Sequence, residues 1–218
     1  PANKDFRPVK VRRSGPDPRE VAKAVVLITQ SKRPLLFAGG GSVISGASSA
    51  LTGLANNFGI PVATTMSGQG AIAEDHQLAV GFTGVVGTRP ANHAAKHADL
   101  LIAVGTRFPE MDCNSWNPSH FTSIPPSRLI HIDIDPHQLD KIYPTDVALI
   151  GDARRCLEEL SACLSSRLDG DTTWHQWRDD LKQEVESWDT DLHEARTNPS
   201  FPYEPAYLAT LLRELLPE

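Results

Sequence analysis

Short apolar runs alternate with helical stretches along this chain, and most of the runs end near glycine, threonine or aspartate. Pro34-Leu35-Leu36-Phe37-Ala38 leads into Gly39-Gly40-Gly41. Ile60 to Thr65, Leu100 to Val104 before Gly105, Leu129 to Ile134, and Val147 to Ile150 before Gly151-Asp152 follow the same plan. Runs this short and this uniformly apolar must be buried on both faces, as the strands of a parallel sheet are. Asp17-Pro18-Arg19-Glu20 has the order of a helix start, with a capping carboxylate, proline at N1 and an acid in the first turn. Further helices are expected over about 47–58 with Gly59 as its stop, over 92–98, and from Gly151-Asp152 to about Leu168. Pro136 opens a short helical turn. The fold class this implies is α/β, a doubly wound, Rossmann-like parallel sheet of the nucleotide-binding type.

The pattern occupies residues 17–168, the expected central domain. Residues 1–16 are proline-rich and basic without periodicity and read as a linker from a preceding domain. After Leu168, Asp169-Gly170-Asp171 breaks the chain. A charged segment with Trp174, Trp177 and Trp188 follows, then a proline-rich break and an amphipathic helix from Pro205. Residues 169–218 thus read as a second linker and the start of another domain, as if the sequence were taken from between two others.

A net charge of -6 leaves no basic stripe for nucleic acid. No run reaches the ~18–20 apolar residues of a membrane span, and no signal peptide opens the sequence. The expected location is cytoplasmic. Cys113, Cys156 and Cys163 have neither disulfide nor metal spacing. Cys156 and Cys163, seven apart on one helix, are expected as small core residues.

From about Lys32 to Leu164 the sequence resembles the middle domain of acetolactate synthase-like thiamine diphosphate enzymes. The resemblance rests on ordered segments. They are Lys32 to Gly41, Ile60-Pro61-Val62-Ala63-Thr64-Thr65-Met66-Ser67-Gly68-Gln69-Gly70, and Gly84-Val85-Val86-Gly87-Thr88 through Ala91-Asn92 to Ala98-Asp99-Leu100-Leu101. Gly105-Thr106-Arg107-Phe108, His131-Ile132-Asp133-Ile134-Asp135-Pro136 and Gly151-Asp152-Ala153 complete the series. Pro202-Tyr203-Glu204-Pro205 is similar to the family's approach to its diphosphate-binding domain.

The resemblance implies a thiamine diphosphate- and Mg2+-dependent carboligase or decarboxylase acting on 2-keto acids such as pyruvate, assembled as a homodimer or homotetramer. It places the activating glutamate in the preceding domain and the magnesium- and diphosphate-binding residues in the following one. Here Asp169-Gly170-Asp171 is in the wrong order for that motif, and Asn56-Asn57 lies upstream on a helix. The stretch alone is therefore expected to be non-catalytic. Relatives hold FAD, ADP or nothing in this domain. Gly39, Gly40 and Gly41 would let backbone approach a pyrophosphate, with Gly105 at the facing strand end. Thr65 and Met66 would line the flavin or ribityl side, and Arg107 would pair with phosphate. Asp133, Ile134 and Asp152 stand at strand ends, where a carboxylate accepts ribose or adenine hydrogen bonds. Pro109-Glu110-Met111 replaces the family's Asp-Asp-Arg, and Val85-Val86 replaces Met-His, so polar partners for a flavin are fewer.

Other readings compete. A self-sufficient nucleotide-binding protein or NAD-dependent deacylase-like enzyme could use the same sheet, but a deacylase usually needs a zinc-binding cysteine quartet. A regulatory binding module is a third reading. His93 and His97 have zinc-ligand spacing on a helix without a third ligand. His131 is expected to be a hydrogen-bonded core or interface residue. Asp133 and Asp135 share a strand face with no nucleophile near.

Overall fold

A computed structural model describes residues 12–168 and 174–216. The first part of the N-terminal arm and the Asp169-Gly170-Asp171 break lie outside the described residues. Helix α1 (Pro18–Gln30) begins where the sequence places it, with the Asp17 carboxylate accepting the Arg19 N–H at 2.8 Å. Such a cap contributes about 1 kcal/mol. Strand β1 (Pro34–Ala38) follows, then a short helix α2 (Gly40–Ile44), helix α3 (Ser48–Phe58) and strand β2 (Val62–Thr64). Strand β3 (Ala79–Phe82), helix α4 (Arg89–His97), strand β4 (Leu100–Val104), strand β5 (Arg128–Asp133), strand β6 (Val147–Ile150) and helix α5 (Ala153–Leu164) complete the sheet and its cover.

The six strands are all parallel in the order β3-β2-β1-β4-β5-β6. Chain direction across the sheet therefore reverses between β1 and β4. One row of side chains crosses the sheet through Val62, Leu36, Ile102, Ile130 and Val147, each paired with the next. All five are buried, and each contributes on the order of 1.5–3 kcal/mol by leaving water. Because the register is level, Ala38 pairs with both Thr64 and Val104, and Val104 with Ile132. The residues that follow these strands consequently emerge side by side at one edge.

Three elements differ from expectation. The three glycines do not form a simple turn, since Gly40 and Gly41 open α2. Strand β3 is an addition, short and bent by Gly81 at φ +96°. Helix α4 starts earlier than 92, because Thr88 caps it and Pro90 sits in its first turn. Gly59 ends α3 in the left-handed conformation, φ +68°, as a C′ glycine should. Cys156 is buried but Cys163 is exposed, which corrects the expectation for the second thiol. Seven residues turn a helix about 20° short of two full turns. Cys156 already lies at the rim of the stripe formed by Ala153, Leu157, Leu160 and Leu164, so Cys163 falls outside it.

The charged stretch after the break is helix α6 (His175–Thr197), followed by helix α7 (Pro205–Leu215). Trp174 and Trp177 are buried, and their indole N–H groups donate to the carbonyls of Ser31 at 2.9 Å and Pro34 at 3.0 Å. These tryptophans fix the start of α6 beside the start of β1. Leu181 continues the contact. Farther along, Arg89 of α4 lies over the Trp188 ring and pairs with Asp191 at 2.6 Å. No described helix is long and apolar enough to cross a membrane.

Candidate strand-end site

At the edge where the strands end, the loops after β1 and β4 touch directly. The Gly39 N–H donates to the Val104 carbonyl at 2.8 Å, and the Gly41 N–H to the Gly105 carbonyl at 2.9 Å. A Cβ on Gly41 would stand 2.8 Å from the Gly105 Cα, and one on Gly39 would stand 2.6 Å from the Thr106 Cβ. Gly105 adds φ +60°. These glycines are required by loop-on-loop packing whether or not a ligand is present. Two of the three amide donors expected for a phosphate are already used within the protein. Gly40 faces Ser67, whose Cβ would lie 3.1 Å from an added side chain.

The other sequence-selected residues divide into occupied and available groups. Thr65 is buried, and its hydroxyl accepts the Gly68 N–H at 3.0 Å as the cap of a 3-10 turn. Asp152 caps α5 through the Arg155 N–H and is paired at 2.8 Å with Arg13 of the N-terminal arm, which also bonds the Ser45 carbonyl. The Asp133 carboxylate accepts the Asp135 N–H at 2.9 Å. Arg107, by contrast, is exposed, with no hydrogen bond or ion pair among the described residues. Met66 and Ile134 are also exposed, at 50% and 67%. The available set for a ligand is thus Gly40, Met66, Arg107 and Ile134, with Asp133 beside them.

Beyond β4 the loop carries the features that sequence reasoning missed. Phe108, Asn114, Ser115 and Trp116 all have φ between +49° and +55°. Non-glycine residues in that region need bracing. Trp116 donates its indole N–H to the Phe108 carbonyl at 2.9 Å, and Asn114 donates to the Asn92 side-chain oxygen at 3.0 Å. Asn92 also brackets Gly84, accepting its N–H at 2.9 Å and donating to its carbonyl at 3.0 Å. The Thr83 hydroxyl donates to the Asp112 carbonyl at 2.8 Å. Asn92 therefore ties the loops after β3 and β4 together. Asp112 itself is buried, with one oxygen accepting the Met66 N–H at 3.3 Å. Burial pushes its carboxyl pKa above the ordinary value, and the Met66 bond only partly opposes this.

His131 is buried in β5, with Nε2 2.8 Å from the Thr106 carbonyl and its ring edge-on to Phe108. A carbonyl only accepts, so Nε2 carries the proton. Burial lowers the pKa more than the Thr106 bond raises it, and the imidazole stays neutral. This agrees with the expected hydrogen-bonded core histidine. His93 and His97 lie with ring centroids 4.4 Å apart, but no described group of three His, Cys, Asp or Glu side chains is placed to hold a metal.

The sheet order, the level strand ends and the glycine contact across the switch point define a doubly wound, Rossmann-like α/β domain. The family of thiamine pyrophosphate enzyme central domains matches residues 21–160, and the chain belongs to it. A probable acetolactate synthase large subunit of Methanocaldococcus jannaschii is 43% identical over 75% of this chain and 27% of its own length. The acetolactate synthase large subunit of Corynebacterium glutamicum is 36% identical over 81% of this chain and 27% of its own. The isozyme 3 large subunit of Escherichia coli is 31% identical over 78% and 28%. The chain spans 27 to 28% of the length of these curated relatives.

Proposed function

We propose that this domain is the structural middle of a thiamine diphosphate- and Mg2+-dependent carboligase or decarboxylase that acts on 2-keto acids, and is inactive by itself. The observation that carries this reading is the family match over residues 21–160 together with relatives that are acetolactate synthases of far greater length. Thiamine diphosphate supplies the carbanion-stabilising chemistry, and its binding groups belong to flanking domains of the same polypeptide. Homodimeric or homotetrameric assembly and a cytoplasmic location go with this role.

The domain's own ligand in this reading is an adenine nucleotide, as FAD or ADP, lying over the strand ends. Arg107 and the Gly40 N–H hold phosphate, Met66 and Ile134 flank the rings, and Asp133 accepts a ribose hydroxyl. Packing of Gly39 and Gly41 against Gly105 supports a ligand resting on this edge rather than deep between the loops. The test is a thermal shift with FAD, ADP, and thiamine diphosphate plus magnesium. A ligand bound only by the folded state adds roughly 2.7 kcal/mol at a hundredfold excess over its Kd. A rise with FAD or ADP that Arg107→Ala removes is expected. No rise with either nucleotide overturns the nucleotide site, and a rise with thiamine diphosphate alone overturns the assignment of its binding groups to other domains.

A further inference from the structure

Beside α4, a shallow cavity of about 470 Å³ has Arg89, His93, Lys96, His97, His120 and Trp188 among its lining residues, and no carboxylate. The protein as a whole is acidic, with net charge -6, so a cup that gathers one arginine, one lysine and three histidines without a lining carboxylate runs against its general character. We propose that this cup is a binding site for a phosphate-type tetrahedral oxyanion, presented either as the free ion or as the phosphate of a nucleotide.

The charges around the cup set its preference. Arg89 is already engaged by Asp191, the Ser187 hydroxyl and, at 3.8 Å, Glu184, all from α6. It is therefore held in place by α6, and its charge is largely answered. Lys96 has no ion pair among the described residues. His97 faces Lys96, His93 and Arg33, with Glu184 as the one opposing charge, and burial, then His93, Lys96 and Arg33, lower its pKa. A bound dianion would relieve that like-charge crowding, so anion binding and protonation of His97 support each other. Imidazolium and ammonium groups give charge-assisted hydrogen bonds to tetrahedral oxyanions. His97 takes up its proton only below the ordinary histidine range, so the cup becomes more cationic as the pH falls. The carboxylates of Glu184 and Asp191, held against Arg89, limit the gain.

Calorimetry and imidazole NMR on this chain test the proposal. Sulfate is the probe for pH, because its own charge is constant across the range, and inorganic phosphate and ADP are the probes for the source. Sulfate should bind about tenfold more tightly at pH 5.8 than at pH 7.5, with saturable shifts of the His93, His97 and His120 ring protons. His93→Gln with His97→Gln should weaken binding about tenfold, while leaving any response to Arg107→Ala unchanged. That separation distinguishes this cup from the proposed nucleotide edge. Equal strength for phosphate and ADP identifies the free ion as sufficient, and tighter ADP binding that the histidine variant abolishes identifies the nucleotide. Chloride binding as strong as sulfate, or sulfate shifts that spare these three histidines, overturns the proposal.

Discussion

The two loops that meet at the switch point are held in opposite ways. After β1 the chain removes side chains: Gly39 and Gly41 let the backbone lie against Gly105, and ordinary amide bonds close the contact. After β4 the chain keeps bulky residues in left-handed conformations at Phe108, Asn114, Ser115 and Trp116, and braces them with side-chain hydrogen bonds. The first solution costs chain entropy on folding but stores no strain. The second stores roughly 1–2 kcal/mol for each left-handed residue and depends on its braces. A glycine contact of this kind is hard to alter without disrupting the sheet edge, whereas a braced loop can lose or gain stability one bond at a time.

The comparison predicts its largest effect at Gly105. Gly105→Ala sets a Cβ 2.7 Å from the Gly41 Cα at φ +60°. Overpacking and left-handed strain together should cost about 3–5 kcal/mol. Gly46→Ala is the control, because Gly46 has φ +64° with nothing near its Cβ, and it should cost only about 1–2 kcal/mol. Equal losses for the two in urea unfolding would mean that close packing is not what requires glycine at the switch point.

In the braced loop the counterpart is Asn92→Ala. It removes the bonds to Gly84 and Asn114 at once and should cost about 2–3 kcal/mol. Asn92→Asp keeps the acceptor and loses the donor to the Gly84 carbonyl, so it should fall between. If both variants unfold at the wild-type urea midpoint, the strained loop has other support.

A smaller, pH-dependent effect separates the two sides at His131. Its folded pKa is lowered, so the unfolded chain takes up a proton first as the pH falls. The stability this neutral histidine allows is present above about pH 6.5 and is lost progressively as pH falls from there toward the folded pKa. His131→Gln should flatten that part of the stability curve, provided Gln keeps its amide donor on Thr106. An unchanged slope between pH 6.5 and 5 would assign the loss to other groups.

The same contrast explains what was legible beforehand. Strands β1, β2, β4 and β5 are legible because each is an apolar run with both faces buried, β6 because it is apolar even at the sheet edge, and the caps at Asp17 and Asp152 because short polar side chains precede helical periodicity. Strand β3 was missed because Ala79-Val80-Gly81-Phe82 is short and contains a left-handed glycine. A glycine loop after β1 is legible in the sequence, but the partners of its amides are not. The structure gives Gly39 and Gly41 to Val104 and Gly105, a partner some 65 residues away that no local pattern reveals. Asn92, Asp112 and Asn114 were silent for the same reason. Their roles arise only when the loops after β3 and β4 are brought together.

The smallest predicted effect has the opposite sign and tests the strain directly. Ser115 has φ +55° and its hydroxyl makes one exposed bond to Glu110 at 3.2 Å, worth little at the surface. Ser115→Gly removes the left-handed penalty of about 1–2 kcal/mol and adds back part of it through the greater freedom of glycine in the unfolded chain. The net should be a gain of about 0.5 kcal/mol. Asn114→Gly at φ +49° should not gain, because its side chain braces Asn92 and the His120 carbonyl. Measured together, the pair separates conformation from bracing. A gain at both positions would mean the side-chain bonds contribute nothing, and a loss at both would mean that Ser115 is not strained.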